Sequence, residues 1–133
     1  MERIERDGTL LACVVRARED ADRTTFLTPP ELELQLGFVV YGAGGEVAAH
    51  RHVPVHRSLD RTLEVLLVRS GAADLDVFDE AGEPVATTPV GAGDLVLLVA
   101  GGHGLRFREP TVLLEIKQGP YGGLSEKELL PPR

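Results

Sequence analysis

The chain has 133 residues and a formal net charge of −7, with 43% hydrophobic and 26% charged residues. This length predicts a single domain, residues 1–133, and the absence of tryptophan predicts a core of aliphatic side chains. The acidic balance argues against nucleic acid or an anionic membrane as a partner, because both attract basic surfaces. A small molecule is the expected partner.

The cellular compartment follows from cysteine usage and from the lack of long apolar runs. Cys13 is the only cysteine, which excludes an intrachain disulfide and multi-cysteine zinc sites, and we expect it to be buried. The apolar run 10–15 is too short for a secretory signal, and no segment approaches the length of a membrane span. A cytoplasmic location is therefore expected.

Short segments rich in valine and leucine recur along the chain and are separated by glycine, proline and aspartate turns. In residues 31–41 apolar and polar side chains alternate, which predicts a strand with one buried face. The absence of a long helical period indicates an all-β barrel or sandwich. The predicted strands are 10–17, 31–41, 47–53, 63–68, 72–78, 84–88, 94–99, 105–107 and 111–117. Run 10–17 is interpreted as an outer strand.

The C-terminal end departs from the strand pattern. Ser125 and Glu128 have the S-x-x-E spacing of a capping box, and prolines follow almost at once. The sequence predicts one short helical turn there.

Four side chains with metal-binding chemistry fall on the predicted strands. His50 and His52 are two residues apart, so on a strand they point to one face. Glu64 shares a face with apolar residues, where an unpaired carboxylate costs roughly several kcal/mol. By the same alternation His103 lies on the face of Leu105. A divalent metal ion held by these three histidines and one carboxylate is the simplest partner for them.

Neither the identity of the ion nor the full ligand set is fixed by this pattern. Imidazole and carboxylate suit zinc, iron, manganese, nickel or copper alike. Glu64 could instead pair with an arginine such as Arg61. His56, in the polar loop 54–62, is the alternative histidine for the metal site.

The spacing of these residues resembles the two motifs of the cupin superfamily, G-x5-H-x-H-x3,4-E-x6-G and G-x5-P-x-G-x2-H. The chain has His-Arg-His at 50–52, and Glu64 is followed by Gly71 after six residues. The stretch from Gly93 to His103 is similar to the second motif. The resemblance implies a double-stranded β-helix, a jelly-roll-like barrel, with the metal ion inside it.

The chain departs from the cupin motifs in four places. Eleven residues, instead of three or four, stand between His52 and Glu64, and Val99 replaces the proline of the second motif. The spacers before His50 and His103 are each one residue short. The resemblance covers about residues 35–117, and cupin habit together with the apolar run 10–15 predicts a homodimer paired through N-terminal strands.

Basic side chains in the long loop 54–62 predict recognition of an anion. Arg57 and Arg61 lie there near the proposed metal ion, and a guanidinium can bind a carboxylate or phosphate through two hydrogen bonds. The alternative is that Arg61 pairs with Asp60 or Glu64 and Arg57 is solvated.

The segment 113–121 is similar to the end of a group of small cupins, and this resemblance places Glu115, Lys117 and Tyr121 at the mouth of the barrel. Glu115 and Lys117 are then substrate-binding candidates, and Tyr121 or His56 is a candidate acid or base. Strand alternation alone predicts instead that Glu115 and Lys117 face solvent.

The cupin resemblance implies three alternative functions. The first is a metal-dependent enzyme that acts on a small oxygenated molecule, anionic or carbohydrate-like, by isomerase or dioxygenase chemistry. The second is a ligand-binding module without turnover. The third is a barrel whose metal ion is purely structural. No helix-turn-helix accompanies the predicted barrel, which argues against a transcription regulator.

Overall fold

The computed structural model describes residues 1–131. The chain divides into two compact units. The first combines residues 1–19 with the chain from Arg61 onwards, and the second is Asp20–Asp60. Strands form nearly all the regular structure, so the predicted all-β class is confirmed. The predicted single domain over 1–133 stays a prediction.

The described residues contain ten strands and one turn of 3-10 helix. In chain order these are β1 (Glu2–Arg6), β2 (Thr9–Val15), β3 (Thr25–Phe26), β4 (Gly37–Phe38), β5 (Glu64–Ser70), β6 (Ala72–Phe78), β7 (Pro84–Gly91), β8 (Leu95–Leu98), β9 (Gly102–Phe107), β10 (Val112–Lys117) and the 3-10 turn (Leu124–Glu126).

The first unit consists of two antiparallel sheets. One sheet has the strand order β1-β2-β8-β5-β10 and the other has the order β7-β6-β9. Within the described part of the chain these sheets do not close into a barrel. Strands β9 and β10 are edge strands.

The core of the first unit lies between its two sheets. A single cluster of buried apolar side chains includes Leu66 and Val96 from the larger sheet and Leu75 and Val77 from the smaller one. Packing of this kind is typical of a β-sandwich, in which alternate residues of each strand face inward. Cys13 is buried, as expected, and burial raises the pKa of its thiol.

The first strand is absent from the sequence-based prediction. β1 has charged residues on both sides of Ile4, its one buried side chain, and it pairs with β2 through a two-residue turn at Asp7 and Gly8. Both turn residues have positive φ, 51° and 80°, as the type I′ hairpin turn requires. The Asp-Gly pair was the sequence signal for this hairpin.

The predicted outer strand 10–17 is wrong in its position. β2 lies between β1 and β8, and its residues 11–15 are at most 8% exposed within the single chain. The predicted homodimer depended partly on exposure of this run, but the run is buried within the single chain. The homodimer stays a prediction.

Two strands predicted for the second unit are not formed as expected. In the predicted strand 31–41, only Gly37–Phe38 is extended, as β4 paired with β3. The amide of Gln35 donates to the carbonyl oxygens of Pro29 (2.9 Å) and Leu32 (2.8 Å), and these bonds close a compact turn instead.

The predicted strand 47–53 is also wrong, because those residues have no regular secondary structure. The ring of His50 hydrogen bonds to the carbonyl oxygen of Ala48 through Nδ1, at 2.8 Å. Two alanines and a following proline give this segment a low strand propensity.

The remaining predicted strands are confirmed as β5 to β10, with ends that differ by a few residues. The predicted helical turn is the 3-10 turn, but its cap differs from the expected box. The carboxylate of Glu126 accepts a hydrogen bond from the Gly122 amide at 2.9 Å. No helix among residues 1–131 is long and apolar enough to cross a membrane.

Arg16 and Asp94 fasten the corner where β2 ends and β8 begins. Arg16 donates to the Asp94 carboxylate at 3.0 Å and to the Thr88 hydroxyl at 3.0 Å. The amides of Gly91 and Ala17 also donate to Asp94, each at 2.9 Å. Burial alone raises the pKa of Asp94, but these hydrogen bonds outweigh it and hold the pKa below its ordinary value.

The Asp94 corner predicts a loss of stability in acid. A carboxyl whose pKa is lowered by folding stabilises the protein above its unfolded pKa of about 3.9, and this contribution is lost as the pH falls through the folded value. In Asp94→Asn that acid-dependent part is expected to disappear, and stability at pH 7 should fall by about 1 to 2 kcal/mol. Urea unfolding measured from pH 7 down to pH 2 tests this.

The matched control is Asp22→Asn, since the Asp22 side chain is 91% exposed and its ion pair with Arg23 is long, at 3.8 Å. Its unfolding curves should follow the wild type at every pH. If Asp94→Asn retains the wild-type pH dependence, the Asp94 corner does not contribute to acid stability.

Candidate functional site

Glu64 begins β5, the strand between β8 and β10 in the larger sheet, and faces the interior. It lies opposite Leu98 on β8 and Lys117 on β10, and its side chain is only 12% exposed. Leu66 and Val68, on the same face of β5, belong to the core cluster. The position therefore places a carboxylate at the end of an apolar face.

His103 reaches Glu64 from the opposite sheet. It lies on the edge strand β9 opposite Val77 of β6, and its Nε2 is 3.4 Å from Oε2 of Glu64. Gly102 and Gly104 flank it, so the neighbouring positions carry no side chains. The structure thus brings together two of the four predicted metal ligands, one from each sheet.

The Glu64–His103 pair lies in an open cleft of the first unit with a volume of about 1120 Å³. Strands, the turns beside them and the C-terminal segment all contribute to its lining. The cleft is lined by Thr62, Glu64, Asp76, Phe78, Asp79, Glu80, Gly101, Gly102, His103, Arg106, Lys117, Glu126, Lys127, Glu128, Leu129, Leu130 and Pro131.

The charge of this lining is predominantly negative. Carboxylates outnumber lysine and arginine side chains by six to three. Lys117 lies opposite Glu64 on the neighbouring strand. Opposite charges at such cross-strand positions stabilise each other by roughly 0.2 to 1 kcal/mol.

Ion pairs on the outer face of the smaller sheet hold β9 in register with β6. Arg106 donates two hydrogen bonds to the buried carboxylate of Asp76, at 2.8 and 3.0 Å, and this pairing raises the pKa of Arg106. Arg108 pairs in the same way with Asp74. Sequence reasoning missed this network, although aspartates two apart and arginines two apart on facing strands were its signal.

Lys117 and Tyr121 form a further pair at the C-terminal end of β10. The Lys117 ammonium lies 5.2 Å from the centre of the Tyr121 ring, within cation–π range. Tyr121 itself is 71% exposed and is not among the residues that line the cleft. Glu115 lies on the same strand face as Lys117, opposite Leu66, and it is exposed.

The other two predicted metal ligands belong to the second unit. The rings of His50 and His52 are in edge-to-face contact, with centroids 5.4 Å apart, and both residues are exposed. His56 and Arg57 also lie in the second unit and are exposed, while Arg61 begins the second segment of the first unit.

The donor chemistry of the Glu64–His103 pair fits part of a metal site. A carboxylate oxygen and an imidazole nitrogen 3.4 Å apart can share one ion with bonds of about 2.0 to 2.2 Å. Among residues 1–131, however, the structure forms no group of three or more histidine, cysteine, aspartate or glutamate side chains suited to hold a metal ion. The four-ligand set stays a prediction.

Comparisons of the chain with protein-family models, with curated proteins and with solved structures give no match. The resemblance to cupins therefore rests on the two motifs in the sequence.

The placement of Glu64 predicts a conflict between stability and function. A largely buried carboxylate beside Leu66 and Leu98 lowers the stability of the fold. A chemical role would explain why it is present there. We expect Glu64→Leu to raise the free energy of unfolding by about 1 kcal/mol, measured by urea denaturation at pH 7.

Glu115→Leu is the matched control, because Glu115 lies on the same face of the neighbouring strand but is exposed. Its free energy of unfolding should change by less than about 0.5 kcal/mol. A loss of more than about 1 kcal/mol in Glu64→Leu would instead show that the carboxylate stabilises the fold.

Proposed function

We propose that the first unit binds a small, hydroxyl-rich molecule of carbohydrate type in its cleft and that Glu64 and His103 act on it as an acid–base pair. The observation that supports this proposal is the 3.4 Å contact between a largely buried carboxylate and an imidazole at the wall of a cleft. Paired titratable groups in such a position are typical of sites for proton transfer.

The cleft lining favours hydroxyl groups over an extended anion. Ionised carboxylates accept hydrogen bonds and cannot donate them, so an acidic lining suits a ligand that presents hydroxyl donors. Phe78 and Leu130 supply an apolar surface in the same lining. An acidic group on the ligand would form an ion pair with Lys117, which lies opposite Glu64. Recognition of an anion by Arg57 and Arg61 stays a prediction, since neither lines this cleft.

The pairing of the two side chains assigns a role to each. Glu64 orients the His103 ring, as a carboxylate does for a catalytic imidazole. With Nε2 directed at Glu64, Nδ1 is the ring nitrogen that a ligand would meet. Isomerisation of a bound sugar is the chemistry that this arrangement supports best: His103 removes a proton from one carbon and returns it to the neighbouring carbon, while a hydroxyl proton moves between the two oxygens on those carbons.

The double-stranded β-helix and the metal ion form the second part of the proposal. The sequence of the two cupin-like motifs supports both, and the two facing antiparallel sheets are compatible with this fold. His103 and Glu64 would hold the ion, with His50 and His52 as the further predicted ligands. When bound, a divalent ion would supply Lewis-acid polarisation of a ligand oxygen.

The proposed ligand predicts that variants of Glu64 and His103 bind sugar more weakly than the wild type. Isothermal titration with a panel of neutral monosaccharides and their uronic acids is the measurement, and binding at millimolar or better is expected for at least one member. Glu64→Gln and His103→Asn should each weaken that binding by roughly tenfold or more, because each leaves a polar partner unsatisfied.

His56→Asn is the control for this experiment, because His56 lies outside the cleft lining. It should bind the same ligand as tightly as the wild type. If the Glu64 and His103 variants bind as tightly as the wild type, the cleft is not the ligand site.

The metal proposal is tested separately by elemental analysis of protein purified without chelator. Wild type should carry about one equivalent of a transition metal, and both His103→Ala and the double variant His50→Ala/His52→Ala should lose most of it. His56→Ala should retain the metal.

Equal metal content in wild type, His103→Ala and the double variant would contradict the four-ligand prediction. It would leave the sugar-binding proposal standing, since the titration with monosaccharides is read independently of metal content.

A further inference from the structure

Strand β10 is the least protected sheet edge of the first unit. Within residues 1–131 the two sheets of this unit end in the edge strands β1, β7, β9 and β10. β1 is charged on both sides of Ile4 and β7 contains two prolines, and both features disfavour pairing of an edge with another strand. β10, in contrast, exposes the large apolar side chains of Val112, Leu114 and Ile116.

The free side of β10 presents the backbone groups of alternate residues. The amide of Gln118 donates to the carbonyl oxygen of Leu63 at 3.1 Å, on the side of β5. Backbone groups of successive residues in an antiparallel strand point to opposite sides, so those of Leu113, Glu115 and Lys117 point away from β5. A strand that adds to this edge must therefore pair with these three residues.

The two faces of β10 differ in character. Glu115 and Lys117 share one face, because they lie opposite Leu66 and Glu64 of β5. The apolar residues at 112, 114 and 116 lie on the other face and are each 49% to 60% exposed. A partner strand must offer opposite charges on the first face and apolar side chains on the second.

A second copy of β10 meets both requirements in one antiparallel register. If a two-fold axis passes between Ile116 and the partner's Ile116, Glu115 lies opposite the partner's Lys117, and Lys117 lies opposite the partner's Glu115. Each of these pairs can exchange both of its backbone hydrogen bonds. Opposite charges are then about 4.5 to 5.5 Å apart at Cβ, whereas like charges lie on the longer diagonals of about 7 to 8 Å.

The neighbouring registers are disfavoured by the same charges. Moving the axis by one residue in one direction sets Glu115 against the partner's Glu115. Moving it in the other direction sets Lys117 against the partner's Lys117. Like charges directly opposite each other destabilise a strand pair. The charge pattern therefore selects the register centred on Ile116.

We propose that β10 is the interface of a homodimer in which the larger sheets of two copies join at Ile116 into one continuous antiparallel sheet. The two Ile116 side chains meet in a pair without backbone hydrogen bonds, where facing side chains approach most closely. Leu114 flanks this contact on the same face. Because the contact is isologous, it covers both edges and closes on itself. It differs from the N-terminal interface that the sequence predicts.

The dimer brings a residue of the partner to the candidate site. Lys117 lines the cleft and lies opposite Glu64. In the dimer the partner's Glu115 lies on the other side of Lys117, so the ammonium stands between two carboxylates across three neighbouring strands. Glu115 is then a positioning residue for the partner's Lys117. Formation of the dimer does not depend on the proposed function.

Sedimentation velocity of the full-length protein tests the association. The interface is one strand wide, smaller than the roughly 1,200 Å² of a standard complex, so we expect dimerisation between about 1 and 100 µM. Glu115→Lys sets lysines opposite each other at both pairs and should weaken the dimer by at least roughly tenfold. Glu109→Lys makes the same charge change at an exposed residue outside the strand and should dimerise as the wild type does.

A mixture of two variants separates pairing from misfolding. Lys117→Glu alone should also be monomeric, because glutamates then face each other at both pairs. Mixed with Glu115→Lys, it restores opposite charges at both pairs, so the two variants should form a heterodimer. A mixture that stays monomeric contradicts the proposed pairing of Glu115 with Lys117.

Disulfide crosslinking of Ile116→Cys tests the register. Its two Cα atoms would be about 4.5 Å apart, within the range of about 4.4 to 6.8 Å that a disulfide spans. Mild oxidation should therefore give a covalent dimer, and Glu115→Cys should crosslink far less. The wild type is the negative control, because Cys13 is buried. The proposal is overturned if the wild type is monomeric at about 100 µM or if Glu115→Cys crosslinks more readily than Ile116→Cys.

Discussion

Face-to-face packing of two antiparallel sheets through aliphatic side chains is the constraint on which the first unit depends. With no tryptophan in the chain, leucine and valine from alternate strand positions fill the space between the sheets. Such side chains interdigitate only when the register of every strand keeps its apolar residues inward, since a shift by one residue exposes them all. The polar networks on the outside of the sandwich serve this requirement.

Two such networks join neighbouring strands. Arg16 and Asp94 tie the end of β2 to the start of β8, and Arg106 with Asp76 ties the edge strand β9 to β6. The second pairing has a direct bearing on the candidate site. It fixes the strand that carries His103, so that the imidazole meets Glu64 from the opposite sheet.

Sequence patterns identified the strands from residue 63 onwards because alternation and turn residues agree there, and the same alternation placed Glu64 and His103 on core-facing sides. The second unit shows the limit of that reasoning. Residues 31–41 alternate well, yet the bonds of Gln35 to local carbonyl oxygens fold them into a turn. Alternation says which face a strand would bury, but it does not say which strand will pair with it. The contact of Leu130 with Gly82 and Gly102 is likewise a tertiary contact that no local sequence pattern predicts.

The position of β10 has a consequence for the behaviour of the protein in concentrated solution. This edge strand turns Val112, Leu114 and Ile116 outward, each 49% to 60% exposed, and an apolar edge with free backbone groups is a template for intermolecular β-pairing. Glu115 and Lys117 interrupt the strand as charged gatekeepers, which disfavour growth into fibrils. Lys117 therefore opposes aggregation and also lines the cleft. Replacing it with an apolar residue would remove a charge from both places.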